Sequence, residues 1–411
     1  MPQYQPPKGT RDFLPAEMAV RRAVMEKMRK VFESYGYGEV CTPAFEDFEL
    51  LARKSGPAIE QEIYAFTDKA GRKLGLRFDP TVPICRIVAS NPSMAKPAKF
   101  YYITNMWRYD NPGAGRWREF WQAGAELIGP AGNEADAEIL AVVGDALRAA
   151  GVKDFTFRIN SRKIVDMLVD RAGIPEKLKS DAFRALDKLG KMGEGVVLGE
   201  LENKGISKES AKKLLNSIRN GRVESMELSG LMETRRIAEM MGAGKIAVDL
   251  SIVRGIDYYT GFVFETFVKD REGLGSVASG GRYDNLIGIY SGRETPATGF
   301  GIGVDRIMEI IGTAGENAAA KVFVVPVKDE CREKAMEMVQ KFRREGIPAD
   351  FDLMGRDLRK QLDYINSRDI PFALIVGPKE LKEEKFTLRD MKTGKENKIS
   401  LDGYIAKMKR L

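Results

Sequence analysis

KFYYITNMWRYD (residues 99–110) and RWREFWQAGAELIG (residues 116–129), joined by a Pro/Gly-rich loop at 111–115, read as one long antiparallel hairpin. Successive side chains on a strand point to opposite faces. On the returning strand Arg118, Phe120, Gln122, Gly124 and Glu126 therefore share a face, and Trp117, Trp121, Ala123, Ala125 and Leu127 lie mostly on the other. Arg108 and Asp110 share a face of the outgoing strand. One side of the sheet thus carries arginines, a ring and polar groups, while the opposite side is apolar. A face turned to water would have the same polarity. Phe120 set among charges, and Gly124 leaving space above the sheet, argue for a face that receives a ligand.

Two clusters in the second half carry a related signal. VRGIDYYTGFVFE (253–265) places an arginine, a Gly turn and two adjacent tyrosines at the mouth of an apolar strand. ASGGRYDNLIG (278–288) repeats a Gly turn, an arginine and a tyrosine. A fixed guanidinium with phenol hydroxyls nearby suits a small planar polar molecule beside an anion. Two β-turns with solvated arginines would account for either stretch alone.

The rest of the chain arranges itself around these stretches. A helix opens at Pro15 and runs to about Tyr35, with Val20, Val24, Met28, Val31 and Tyr35 at steps of three and four. EVCTPAFEDFELL (39–51) reads as a strand broken by Pro43 and then a helix, and LGLRFDPTVPICRIVAS (74–90) as strand, turn and helix. Residues 134–150 form a helix. The stretch from 163 to about 245 is almost wholly helical in pattern, Lys-rich, and interrupts two strand-rich regions. ATGFGIGVDRIMEII (297–311) is a glycine-rich strand running into a helix with Arg306 in its first turn, and GTAGENAAAK (312–321) is a linker. A β-α-β-α-β order follows, with two short charged strands and a terminal helix. The expected architecture is an α+β catalytic domain with an antiparallel sheet over 1–161 and 246–318, a helical insertion over 162–245, and a C-terminal α/β domain over 321–411.

At 411 residues the chain exceeds one ordinary core, and its 30% charged and 43% apolar residues are in globular proportion. The N-terminus has no apolar signal core, and no stretch approaches the ~18 apolar residues a bilayer span requires. Cys41, Cys85 and Cys331 form no Cys-x-x-Cys pair, which argues against a zinc or disulfide framework and for a reducing cytoplasm. The net charge of +7 is concentrated in 162–245 and 321–411. A polyanion touching several domains would explain that, as would solvated helix faces. No histidine occurs anywhere. That excludes Ser-His-Asp triads, Cys-His dyads, histidine bases and histidine metal ligands. The chemistry must rest on arginines, carboxylates and tyrosines, joined at most by a hard metal ion.

A Walker A pattern is absent, and Gly299, Gly301 and Gly303 form G-x-G-x-G without the x-x-G extension of a dinucleotide fingerprint. Over essentially its whole length the chain resembles histidyl-tRNA synthetase, a class II aminoacyl-tRNA synthetase. The residues that carry the resemblance are KGTRDFLP (8–15), the Pro43 strand and helix, the Arg108 hairpin, RGIDYYTG (254–261) with GGRYD (280–284), and the Arg306 strand–helix unit.

The resemblance implies that L-histidine is activated with ATP, giving histidyl-adenylate and pyrophosphate, and then passed to the 3′ end of tRNA(His). The attacking carboxylate is already ionised at neutral pH, so alignment and positive charge at the phosphates matter more than a base. By this resemblance Arg108 grips the α-phosphate, Arg306 holds the γ-phosphate, and Arg254 approaches the α-phosphate from the amino-acid side as a catalytic guanidinium. Phe120 stacks on adenine, with Asp110 near its amino edge and Arg118 among the ATP ligands. Mg²⁺ is held mainly by ATP, with no dedicated protein site. Asp79, Thr81 and Gln122 take the α-ammonium. Glu126 and Tyr259 read the two imidazole nitrogens, and Tyr258 and Tyr283 supply walls or further hydrogen bonds. The insertion is then a tRNA clamp and the C-terminal domain the anticodon binder. The enzyme is expected to be a cytoplasmic homodimer joined through the Pro43 region, without membrane association.

Family members commonly carry histidine at the positions of Tyr109 and Trp121, and glutamate at those of Asp79 and Asp110. A shorter carboxylate retracts the charge by one methylene, which bears on the ammonium and adenine assignments. The absence of histidine fits selection for a chain that can be translated while charged tRNA(His) is scarce, and equally compositional drift or deliberate redesign. A histidine-binding regulatory paralogue of ATP phosphoribosyltransferase shares the core, but usually lacks the last domain and loses the ATP arginines. Here 321–411 is present and Arg108, Arg254 and Arg306 are kept. A non-catalytic RNA-binding protein, the third reading, would show no ATP–pyrophosphate exchange.

Overall fold

The hairpin forms as the alternation requires. Ala98–Trp107 pairs antiparallel with Glu119–Ile128, setting Tyr102 opposite Gly124 and Trp107 opposite Glu119. The computed structural model describes residues 4–53, 61–220, 225–253, 258–312 and 320–409. Arg254, the tight turn after it, and residues 313–319 of the linker lie outside these. The chain divides into two compact units, one of Met1–Asp12 with Arg21–Gly312, the other of Phe13–Val20 with Thr313–Leu411.

In the first unit the hairpin is part of an eight-stranded sheet. Its order is Gly38–Glu39, Ala98–Trp107, Glu119–Ile128, Ala297–Gly303, Ala278–Arg282, Phe262–Val268, Phe155–Ser161 and Lys245–Val248. Only the two edge pairings are parallel, and every pairing between them is antiparallel. The expected antiparallel catalytic sheet is present. Its apolar face is sealed by helices. Phe32, on the helix Pro15–Ser34, packs with ring centroids 5.5 Å from Tyr101 and 5.8 Å from Phe300. The helix Asn133–Ala150, buried along most of its length, packs against strand Ala297–Gly303 and helix Met226–Met240. Sealing one face leaves the other to build a site.

A three-stranded sheet, Phe45–Asp47, Lys73–Leu76 and Ala65–Thr67, flanks that site, with Phe48, Leu51, Ile63, Phe78 and Val82 as its core. Among the described residues from Arg162–Arg171 to Met226–Met240 the elements are all helices, and the strand Lys245–Val248 then returns to the main sheet beside Phe155–Ser161. These helices belong to the same unit as the sheet.

The second unit has a five-stranded sheet ordered Ala349–Phe351, Val322–Pro326, Phe372–Val376, Phe386–Asp390 and Glu396–Ile399. The first three strands are parallel and the last two antiparallel. Period two divides its core. Val322 and Val324 join Met338, Phe342 and Tyr404 in one cluster, while Phe323 and Val325 join Ile365 in another. Both faces are therefore covered by helices, which is the α/β layering expected of the β-α-β-α-β pattern. A short helix, Pro378–Glu383, is not evident from the sequence.

Candidate active site

Glu126 stands at the centre of the polar face and is only 1% exposed. Thr81 donates its hydroxyl to one carboxylate oxygen at 2.7 Å, and the Tyr283 hydroxyl donates to the other. Thr81 opens the helix Thr81–Ala89, and Asp79, just ahead of it, accepts from the Val82 amide at 3.2 Å. On the same strand face as Glu126, Gln122 donates its amide to the Tyr102 hydroxyl at 2.9 Å. Tyr102, Tyr258, Tyr259 and Tyr283 belong to one buried cluster. Tyr258 lies 4.9 Å from Tyr259 and 5.7 Å from Tyr283, centroid to centroid.

The glycine run of 299–303 makes room for this arrangement. A Cβ on Gly299 would come 1.7 Å from a Glu126 carboxylate oxygen, and one on Gly301 would come 1.9 Å from the Gln122 amide nitrogen. A Cβ on Gly124 would meet the Tyr102 hydroxyl at 2.4 Å. G-x-G-x-G here lets two polar side chains lie flat across a neighbouring strand, a use of glycine unrelated to phosphate turns.

Burial pushes the Glu126 carboxyl up to about 8, with Asp79 adding to the rise and the Tyr283 and Thr81 hydroxyls opposing it. Burial raises Asp79 as well, against the pull of its backbone amides and Arg108. A raised acid binds its proton more tightly when folded. The stability contributed by Glu126 is therefore full below the ordinary value of 4.5 and is lost as pH rises through about 8. Glu126→Gln, which keeps the neutral shape, should flatten this dependence. Calorimetry should show the variant's melting temperature gaining on the parent between acidic and alkaline pH, and a constant difference would refute the assignment.

Arg108 follows the outgoing strand of the hairpin. Its Nη2 donates to the Phe78 carbonyl at 3.1 Å, and its guanidinium lies 5.5 Å from the Phe120 ring centre. Its buried Nε has no hydrogen-bond partner among the described residues. A donor left unpaired in a buried place is costly without an acceptor, so it fits an incoming anion. Arg306 donates to the Ser276 carbonyl and lies against the hairpin loop, where a Cβ on Gly115 would be 3.0 Å from its Cγ.

The structure thus brings Asp79, Thr81, Gln122, Glu126, Tyr258, Tyr259 and Tyr283 into one region, with Arg108 and Phe120 adjoining it through Asp79. Two hydrogen bonds define the phenol contacts of the region. The phenol bonded to Glu126 is Tyr283, and Tyr102, missed in the sequence, bonds to Gln122. Asp110 is held by Arg116, whose Nε and Nη2 donate at 3.0 and 2.7 Å. Arg118 directs its Nε to the Asp110 carbonyl at 3.0 Å and stacks 4.0 Å from the Tyr109 ring centre. Among the described residues no group of three or more carboxylates or thiols is gathered as a metal site.

The arginine of the second cluster, Arg282, is not a ligand-facing group. It is 6% exposed and donates to both Asp136 oxygens at 3.0 Å, to the Pro130 and Gly132 carbonyls at 3.1 and 3.2 Å, and to Asp284 at 3.2 Å. It ties the strand end beneath Tyr283 to the start of the helix Asn133–Ala150. Removing one partner strands a buried charge, so Arg282→Ala should cost about 3–5 kcal/mol of stability, measured by denaturant unfolding. A loss below about 1 kcal/mol would mean the pair is not buried in solution.

Comparison with known proteins places the chain in a family. A family model described as histidyl-tRNA synthetase matches residues 9–307, and one described as an anticodon binding domain matches 321–411. Histidine--tRNA ligase of Pyrococcus abyssi is 40% identical over 98% of both chains. That of Methanocaldococcus jannaschii is 40% identical over 97% of this chain and 98% of its own. The crystal structure of histidyl-tRNA synthetase from Nostoc sp. PCC 7120 superposes with a TM-score of 0.83 at 27% identity, covering all of both chains. With catalytic and C-terminal regions both matched at full length, the chain belongs to the histidyl-tRNA synthetase family.

Proposed function

We infer that the protein activates L-histidine with ATP and transfers it to the 3′ end of tRNA(His). The observation that carries this reading is the buried Glu126, flanked by hydroxyls and tyrosine rings and adjoining an arginine with an unpaired donor. An imidazole offers a donor and an acceptor on opposite edges, and Glu126 with Tyr259 or Tyr283 can meet both. Asp79, Thr81 and Gln122 take the α-ammonium. The histidine carboxylate oxygen attacks the α-phosphorus, an acyl–O–P bond forms, and the bond to the β-phosphate oxygen breaks to release pyrophosphate. The terminal tRNA hydroxyl then attacks the acyl carbon and AMP departs.

Arg108 supplies charge at the α-phosphate and Arg306 at the γ-phosphate, with Phe120 offering its ring to adenine and Asp110 its carboxylate to the amino edge. Asp110 reaches that edge by exchanging its bond to Arg116. Arg118 serves ATP by holding the hairpin loop. Arg254 keeps the catalytic role that the resemblance implies. Mg²⁺ brought with ATP would supply further positive charge to the phosphates, and no residue is assigned to hold it. The C-terminal unit reads the anticodon and the 162–245 helices clamp the tRNA, a reading their excess positive charge supports. A homodimer through the Pro43 region is supported by the exposed Phe45 and Phe66, stacked edge-on at 6.0 Å. A cytoplasmic location is the reading that tRNA charging supports.

ATP–pyrophosphate exchange driven by histidine tests this reading. Histidine should support exchange and the other amino acids should not. Equal exchange with another amino acid would overturn the substrate. No exchange at all would favour the regulatory paralogue.

A further inference from the structure

We propose that residues 8–11 form a strap that positions the ATP arginine by clamping Arg118. The proposal rests on the reading of Arg108 as an ATP ligand. Arg108 and Arg118 face each other where the hairpin ends, the Arg108 amide donating to the Arg118 carbonyl at 2.8 Å. Beyond this pair the loop is defined by a bridge between Gly113 and Arg116, the Asp110–Arg116 pair, the Tyr109 amide donating to the Glu62 carbonyl at 2.8 Å, and the packing of Gly115 on Arg306. The strap attaches to Arg118 from outside. The Arg118 amide donates to the Gly9 carbonyl at 2.7 Å, and its Nη1 reaches the Lys8 carbonyl at 3.5 Å. Next to this, the Arg11 guanidinium lies 5.2 Å from the Trp117 ring centre. The strap's own bend is fixed by Thr10, whose amide and hydroxyl both donate to the Pro7 carbonyl, at 2.9 and 2.8 Å.

Gly9 shows how closely the strap is fitted. Its φ is +86°, and a Cβ there would come 2.7 Å from both Cγ and Cδ of Arg118. The approach closes Arg118 between the strap and Tyr109, with its Nε held on the Asp110 carbonyl. Asp110 and Arg108 are therefore anchored at the same loop base. Loosening Arg118 lets that base shift, and Arg108 with it. The amino-acid side rests on Thr81, Tyr283 and the glycine strand, whereas the strap contacts described above run to Arg118 and Trp117 of the hairpin. The strap acts on ATP alone.

The test compares two alanine substitutions in exchange kinetics. Gly36 has φ of +79° and nothing within 4 Å of where a Cβ would stand, so Gly36→Ala imposes similar backbone strain without the clash. Gly9→Ala should raise KM for ATP about tenfold and leave KM for histidine within about twofold, while Gly36→Ala changes neither. Arg118→Ala removes the atoms that Gly9→Ala strikes. The double variant should then bind ATP no worse than Arg118→Ala alone. Should Gly9→Ala fail to fold, Arg11→Ala carries the same comparison, with a rise of about threefold in KM for ATP. Gly9→Ala behaving like Gly36→Ala, raising both KM values together, or adding fully to Arg118→Ala would overturn the strap. Histidine failing to drive exchange in the unaltered enzyme would instead defeat the functional reading.

Discussion

Arg108→Ala is expected to lower kcat for histidine-dependent exchange by about 10²–10³-fold, the scale seen when one fixed donor at a developing charge is removed. The guanidinium is held from two sides, by the Phe78 carbonyl and the Phe120 ring, and keeps a buried Nε without a partner among the described residues. Such a group is oriented before ATP arrives and needs no reorganisation as phosphate charge shifts. Lysine would restore the charge but not the fork, so Arg108→Lys should recover only a small part of the rate. A loss below about tenfold for Arg108→Ala would remove the residue from the phosphate site.

Truncating Glu126 should strike the other substrate. Glu126→Ala is expected to raise KM for histidine about 100-fold while KM for ATP stays within about twofold. The alanine variant leaves the Thr81 and Tyr283 hydroxyls without their shared acceptor and an imidazole nitrogen without a partner, each in a place closed to water. Buried polar groups left unpaired are what allow such a pocket to discriminate. Steady-state exchange at varied histidine and saturating ATP would measure it, and parallel rises in both constants would contradict the separation of the two halves of the site.

The hairpin and its two-faced character are legible in the sequence because alternation along a strand is a local property. Counting back by twos from Arg108 reaches Tyr102, so that residue is within reach of the same argument; its place in the aromatic run KFYYI disguises it as core. Other features depend on register between distant strands. Gly299 lies opposite Glu126, and no local spacing announces that pairing. Arg282 reads as ligand-facing in the sequence because its partner Asp136 is 146 positions away. Arg116 and Arg118 differ by two positions, yet one pairs with a carboxylate and the other with carbonyls. Part of what separates them is the N-terminal segment, whose Lys8 carbonyl reaches Arg118 from over a hundred residues upstream. The fold class follows from periodicity, whereas residue roles depend on contacts that only the folded chain supplies.

Glycine beneath Glu126 and Gln122 has one more effect, on what the enzyme could be made to accept. Neighbouring side chains usually slump into a hole left by a shortened residue and shrink it. Here the strand beneath is bare main chain and cannot, which leaves any closing in to side chains at the flanks such as Thr81, Tyr283 and Tyr102. A smaller group at either place would open a trench running along the backbone, ready-made to admit amino acids bulkier than the natural substrate.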